Sequence, residues 1–270
     1  MTEHYVYLKG MNAMKVENKV AIVTGGASGL GLATVEKLIE HGARVAIFDM
    51  NEEKSKEVQE RLGKDKVLIF KTDVTDEASV KESIDETYKH WGGIHICVNC
   101  AGIAVGEKTY GSKGPFRFEN FKKVIDININ GTFNVLRLAA EKMALNESTE
   151  EEMDRGVIVN TASSAAFDGQ MGQAAYSASK AGIAGMTLPI ARDLSQYNIR
   201  INTIAPGLFL TPMADGLSEN AMKTLESQME YPKRLGNPPE YGSLVIHLIE
   251  NGYLNGEVFR LDGASRLPPR

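Results

Sequence analysis

Seven short apolar runs recur along the chain, at residues 20–23, 45–48, 67–70, 94–98, 157–159, 199–204 and 258–261. They are rich in Val and Ile and mostly lack the polar alternation of a strand with one wet face. Runs of this kind belong to strands covered on both sides, as in a mostly parallel sheet. The segments between them have helical character: residues 30–41 place Leu32, Val35, Leu38 and Ile39 along one side of a helix. Strands alternating with crossover helices predict a doubly wound α/β sheet of seven mostly parallel strands, with helices on both faces. No repeat or low-complexity stretch interrupts the pattern, so residues 1–270 are read as a single domain.

Composition narrows what such a sheet can serve. Hydrophobic residues are 43% and charged residues 24%, ordinary globular usage that excludes a disordered chain. No stretch approaches the ~18 uninterrupted apolar residues of a membrane span. A net charge of −5 argues against a dedicated nucleic-acid binder. Two cysteines cannot make a disulfide framework, which points to a reducing compartment. Residues 1–18 carry Glu3 and Glu17, no arginine and no apolar core, unlike a secretory or transit peptide. They are read as a short leader, and the cytoplasm as the location, with the mitochondrial matrix as the alternative. Two segments look like surface embellishments: 106–118, rich in Gly, Lys and Ser, and the acidic run 146–154, read as a solvated loop.

The first run is followed by Thr24-Gly25-Gly26-Ala27-Ser28-Gly29-Leu30-Gly31 and then by a helix pattern. Glycines at 25, 29 and 31 let the backbone turn sharply and approach a ligand, and the helix start offers N–H groups to a pyrophosphate. Glycines also serve plain tight turns, so position matters. Asp49 closes the second run, 18 residues after Gly31, close to the offset of an acid that binds adenosine ribose hydroxyls. Its other reading is a cap for the helix from Glu52 onward. A carboxylate there repels a 2′-phosphate, and Ser28 fills a place where a basic side chain would meet one. The pattern favours NAD over NADP, with Arg44 too far back along the strand to reverse it.

Tyr176 and Lys180 are four apart at the start of an apolar helical stretch, on one helix face. A phenol with a pKa of ~10 is a poor base at neutral pH, and a neighbouring ammonium favours its ionised form. Ser163 lies thirteen residues before Tyr176, just past the 157–159 strand, where ligand crevices form in open α/β sheets. Ser164 is its rival, and turn chemistry the plain reading. Asn128 sits in Asp126-Ile127-Asn128-Ile129-Asn130-Gly131, a poor helix-forming stretch that suggests either a local distortion or merely a weak helix.

Together these motifs resemble the short-chain dehydrogenase/reductase family along nearly the whole chain. The family's TGxxxGxG stands at 24–31, and its Asn-Asn-Ala-Gly appears as Asn99, Cys100, Ala101 and Gly102, departing at Cys100. Its Pro-Gly-x-x-x-Thr carboxamide segment runs Pro206, Gly207, Leu208, Phe209, Leu210, Thr211, and its adenine-bracketing pair is Asp73 and Val74. Its catalytic tetrad corresponds to Asn128, Ser163, Tyr176 and Lys180. The resemblance implies a Rossmann domain that binds NAD through Gly25, Ser28, Gly29, Leu30, Gly31, Asp49, Tyr176, Lys180 and the segments just named. It implies Tyr176 as base, Ser163 as hydrogen-bond partner of the substrate, and Lys180 on the nicotinamide ribose, lowering the tyrosine pKa. Asn128 would hold a relay water. Runs 172–180 and 185–194 are similar to the branch that oxidises short and branched 3-hydroxyacyl-CoA thioesters with NAD, some of whose members take hydroxysteroids. A homotetramer is implied as well. The other readings are a hydroxysteroid or alcohol dehydrogenase, a 3-oxoacyl carrier-protein reductase preferring NADPH, and a catalytically idle scaffold, which has no need of Tyr176 and Lys180 together.

Substrate contacts are assigned to Ser163, Tyr176, Gln173 and Met213. Residues 208–232, with Phe209, Met213, Leu217, Met222 and Met229, read as an apolar lid or as an ordinary packed helix. Pro189 should kink the helix after Tyr176 or mark a packing site. Cys97 and Cys100 form a CxxC at a strand end, where residues three apart face opposite sides, so it is not read as a zinc or redox motif. The five histidines make no HExxH pairing, and no metal is assigned.

Overall fold

A computed structural model describes residues 13–149, 152–211, 225–227 and 229–269. Most of the leader, and the part of the lid that carries Met213, Leu217 and Met222, lie outside the described residues. The elements run β1 (Val20–Thr24), α1 (Gly29–Glu40), β2 (Arg44–Asp49), α2 (Glu52–Leu62), β3 (Val67–Lys71), α3 (Glu77–Trp91) and β4 (Ile96–Asn99). A small antiparallel hairpin, β5 (Tyr110–Gly111) and β6 (Gly114–Pro115), then precedes α4 (Phe118–Ile125). The segment 106–118 is therefore not simply a loop. Next come a π-helical turn (Asp126–Gly131), α5 (Thr132–Met143), β7 (Gly156–Thr161), α6 (Ala174–Leu194), β8 (Ile199–Pro206), α7 (Pro238–Glu250) and β9 (Val258–Leu261).

Among the described residues, the main sheet has seven parallel strands in the order β3-β2-β1-β4-β7-β8-β9. The chain winds outward from β1 to β3, crosses back to β4, and winds outward again to β9. The strand order reverses between β1 and β4, and the crevice of an open α/β sheet lies outside the carboxyl ends at that point.

Side-chain alternation divides the core. Ala21, Val23, Val45, Ile47, Ile96, Val98, Val157 and Val159 pack on one face with Val35, Leu38, Val58 and Tyr241 from α1, α2 and α7. Ile22, Ala46, Phe48, Cys97 and Ile158 point the other way, onto Ile84 of α3, Leu136 and Met143 of α5, and Ile190 of α6. Both faces are dry, which is why the strands need no polar alternation. Cys97 and Cys100 contribute to opposite faces, as their spacing predicts. Pro189 sits within the continuous 21 residues of α6.

The acidic run is not wholly solvated. Glu152 pairs with Lys19 at 2.6 Å. Asp154 accepts from the Met14 N–H at 3.1 Å and from the Arg200 guanidinium at 2.8 Å. Arg200 is buried at the start of β8 and also donates to the carbonyls of Leu248, Ile249, Asn251 and Leu254 at the end of α7. This clamp joins the chain's start, the acidic segment and α7 at the end of the sheet remote from the crevice.

Candidate active site

Residues at or just beyond the carboxyl ends of β1, β2, β3, β4, β7 and β8 line a cleft of about 750 Å³. Its first wall is the glycine turn. Gly25 has φ +64°, and a Cβ there would lie 3.0 Å from the Ala101 nitrogen. A Cβ on Gly31 would lie 2.1 Å from the Gly25 carbonyl oxygen, so no other residue fits this turn without moving the backbone. The Thr24 hydroxyl accepts from the N–H groups of Cys100 and Ala101 at 3.1 and 3.0 Å, joining this turn to the loop after β4. Ser28, Gly29, Leu30 and Gly31 present the start of α1 to the cleft. No side chain caps that helix start and no acid stands in its first turn, so its positive pole faces the cleft uncompensated.

Asp49 lines the cleft at the end of β2. Its carboxylate accepts from the Ala27 N–H at 3.1 Å and the Asn51 N–H at 2.8 Å. The cap of α2 is Asn51, whose side chain accepts from the Lys54 N–H at 3.0 Å. The cap reading of Asp49 is thereby corrected. Arg44 stands at the other end of β2, over the Trp91 ring. Asp73 and Val74 line the cleft after β3, and the Val74 carbonyl is held by the Asn134 side chain at 3.0 Å.

At the opposite end, Ser163, Tyr176 and Lys180 line the same cleft. The Ser163 oxygen accepts from the Ala165 N–H at 3.1 Å. Ser164 also lines the cleft and begins the short helical turn Ser164–Ala166. Lys180 is buried, donates from Nζ to the Thr161 carbonyl at 2.7 Å, and stands 5.8 Å from the centre of the Tyr176 ring. Burial lowers its ammonium to about 8. Burial also pushes the Tyr176 phenol above its ordinary value, against the smaller pull of the Ser163 hydroxyl. The sequence expectation has the Lys180 ammonium and a nicotinamide cation together favouring the phenolate; in the chain by itself burial is the larger influence on this phenol.

Two members of the motifs stand behind the wall. Asn128 is fully buried in the π-helical turn, the local distortion that its sequence suggests. Its side chain donates to the Ile103 carbonyl and to Ser179 Oγ, and accepts from the Ile103 N–H, each at 2.9 Å. One amide hydrogen fastens the loop after β4 at Ile103 and the other reaches α6 at Ser179, so Asn128 ties these two elements together. Asn99 is buried and donates to Asn160 at 2.9 Å. Cys100, Ala101, Gly102, Pro206, Gly207, Leu208, Phe209, Thr211 and Gln173 do reach the cleft. A Cβ on Gly102 would crowd Asn128 Oδ1 at 3.2 Å, with Lys180 Nζ 3.5 Å away. From the lid segment, Met229 is buried, while Leu225 lines the cleft.

Other site residues carry no sequence signal of their own. Tyr241 reaches from α7 to the Thr161 hydroxyl at 2.7 Å, and that hydroxyl bonds the Asn99 carbonyl at 2.6 Å. Gln170 and Leu267 also line the cleft. No group of His, Cys, Asp and Glu among the described residues is placed to hold a metal ion. A glycine cradle, a bare helix start and a carboxylate at the end of β2 fit a dinucleotide, with a tyrosine, a serine and a lysine grouped at the far end.

Residues 19–222 match the sequence profile described as short chain dehydrogenase, and the chain belongs to the short-chain dehydrogenase/reductase family. Within it, the chain is 51% identical to the human 3-hydroxyacyl-CoA dehydrogenase type-2, over 94% of this chain and 97% of that one. It is 52% identical to the Drosophila melanogaster protein of the same name, over 94% of this chain and all of the other. The crystal structure of 3-hydroxyacyl-CoA dehydrogenase type-2 from Mycobacterium avium superposes with a TM-score of 0.90 at 42% identity, covering 94% and 98% of the two chains.

Proposed function

We propose that this chain oxidises short or branched 3-hydroxyacyl-CoA thioesters to 3-oxoacyl-CoA, with NAD as the cofactor. The observation that carries the reading is one cleft with Asp49 and the bare start of α1 at one end and Ser163, Tyr176 and Lys180 at the other. The substrate class rests on the likeness to the 3-hydroxyacyl-CoA dehydrogenases. Gly25, Gly29, Gly31 and the N–H groups opening α1 hold the pyrophosphate, and Asp49 accepts from the adenosine ribose and repels a 2′-phosphate. Asp73 and Val74 flank the adenine, and residues 206–211 take the carboxamide. When bound, NAD supplies the hydride acceptor.

Ser163 and Tyr176 hold the substrate oxygen between them. The Ala165 N–H occupies one lone pair of Ser163 Oγ, which turns the serine hydroxyl outward as a donor. Tyr176 takes the hydroxyl proton during oxidation and returns it during reduction. Lys180 is held by Thr161 and adds positive charge beside the phenolate as it forms. A homotetramer and a cytoplasmic location accompany this reading, with the mitochondrial matrix as the other compartment. Among the described residues, no helix is long and apolar enough to cross a membrane.

Steady-state rates with NAD and NADP on a series of 3-hydroxyacyl-CoA thioesters, estradiol and simple secondary alcohols test it. The expected result is turnover of the thioesters with a preference for NAD. Tyr176→Phe should lose at least about 10³-fold in kcat/KM while NADH still binds. Full activity in that variant defeats the mechanism, and a preference for NADPH favours a reductase acting on carrier-protein thioesters.

A further inference from the structure

The chain beyond β9 turns back onto the catalytic end of the cleft. The Arg260 guanidinium pairs with Asp168, donates from Nε to Asp262 at 2.6 Å, and lies 5.4 Å above the Phe167 ring. It also donates to the Ser265 carbonyl at 3.3 Å. One cation thus ties the loop that follows Ser163 to the segment leaving the sheet. Further on, the Gln170 side chain donates to the Pro268 carbonyl and the Met171 N–H to the Pro269 carbonyl, each at 3.0 Å. Between these two attachments, Leu267 is half-buried and lines the cleft, as Gln170 and Gln173 do. The Gln170 N–H donates to the Gln173 side chain at 3.0 Å, and Gln173 immediately precedes α6, whose first turn carries Tyr176.

We infer that residues 265–269 form the wall of the acyl pocket, with Leu267 setting how large an acyl group fits beside Ser163 and Tyr176. Gln170 is the positioning residue that holds this wall. The inference rests on the functional reading above and adds the part of the chain that selects the substrate. An apolar side chain pinned from both sides suits an acyl end rather than a nucleotide arm, whose phosphates require water or cations. It also meets its ligand at a fixed place. The wall therefore discriminates by size, and one methylene more or less in such a pocket changes kcat/KM by about 10-fold or more.

The test uses the full chain, with Leu267→Ala, Leu267→Trp and Gln170→Glu, on four-, six- and eight-carbon 3-hydroxyacyl-CoA thioesters. NADH affinity is followed separately by fluorescence. The ratio of kcat/KM for the eight-carbon over the four-carbon substrate should rise about tenfold in Leu267→Ala and fall about as much in Leu267→Trp, with NADH affinity unmoved. Gln170→Glu keeps the side-chain length and loses the donor. It should shift the ratio as Leu267→Ala does, through KM rather than kcat. A ratio within about twofold of the original in both Leu267 variants overturns the wall and leaves the proposed activity standing. If the parent chain ignores thioesters but oxidises alcohols, the activity is wrong and the wall is judged by the same ratio between bulky and small alcohols. No turnover on either series overturns both.

Discussion

Lys180 carries a cost that its position in the site explains. Its ammonium is withdrawn from water onto the Thr161 carbonyl, and burial lowers it to about 8. In an unfolded chain it titrates near 10.5, so between about pH 8 and 10.5 the unfolded state binds more protons than the folded one, and stability from this group rises with pH. Below that window the buried charge destabilises the fold by roughly 3 kcal/mol. Lys180→Met should therefore abolish turnover yet raise stability near pH 7 by about 2 kcal/mol, after the lost hydrogen bond is subtracted. Thermal unfolding should show a Tm about 4–8 °C higher, an advantage that shrinks toward pH 10.5. Asp49 is the other decisive side chain. Asp49→Ser removes a charged acceptor and should lower kcat/KM with NAD about 10- to 100-fold while narrowing the preference over NADP. Steady-state kinetics with both cofactors measure this.

Elements deliver these side chains through their ends. Within the π-helical turn at Asp126–Gly131, Asn128 reaches Ile103 and Ser179 at once, and a Cβ on Gly131 would lie 2.5 Å from the Val74 side chain. At the other end of the neighbouring strand, His95 enters β4 with its Nδ1 accepting from the Val20 N–H at 3.3 Å. Burial, reinforced by the charges of Lys19 and Arg44, lowers this imidazole to about 4. The unfolded chain takes up the proton near 6.5, so stability is full above that pH and is lost as pH falls from 6.5 toward 4. The loss amounts to about 2 kcal/mol after allowing for partial contact with water. His95→Asn keeps an acceptor for Val20, and its denaturation midpoints should lose most of the slope between pH 6.5 and 4.

The molecule as a whole separates its chemistry from its fastening. Ligand-facing residues gather at the carboxyl ends of the strands, and the Arg200 clamp lies at the other end. Removing the carboxylate of Asp154 leaves the guanidinium buried with carbonyls alone. Asp154→Ala should therefore cost about 3–5 kcal/mol. In thermal unfolding the Tm should fall by about 6–20 °C, while kcat at room temperature stays within about twofold of the parent.

Strand count, parallel direction, two-sided burial and the glycine turn were legible in the sequence because each depends on local pattern. An apolar run without alternation implies two dry faces, and a Cβ at Gly31 collides with the backbone a few residues away. The spacing of Tyr176 and Lys180 was legible for the same reason, since one helical turn fixes it. What those two groups do to each other was not. Only the packed interior decides that burial raises the Tyr176 phenol and lowers the Lys180 ammonium, or that Asn128 spends both amide hydrogens on Ile103 and Ser179. Nor does any local pattern place Asp154 on Arg200, Tyr241 on Thr161 or Leu267 in the cleft. These contacts join residues 46 to 80 positions apart or bring in a segment beyond the last strand, and they exist only once the sheet has brought the distant segments together.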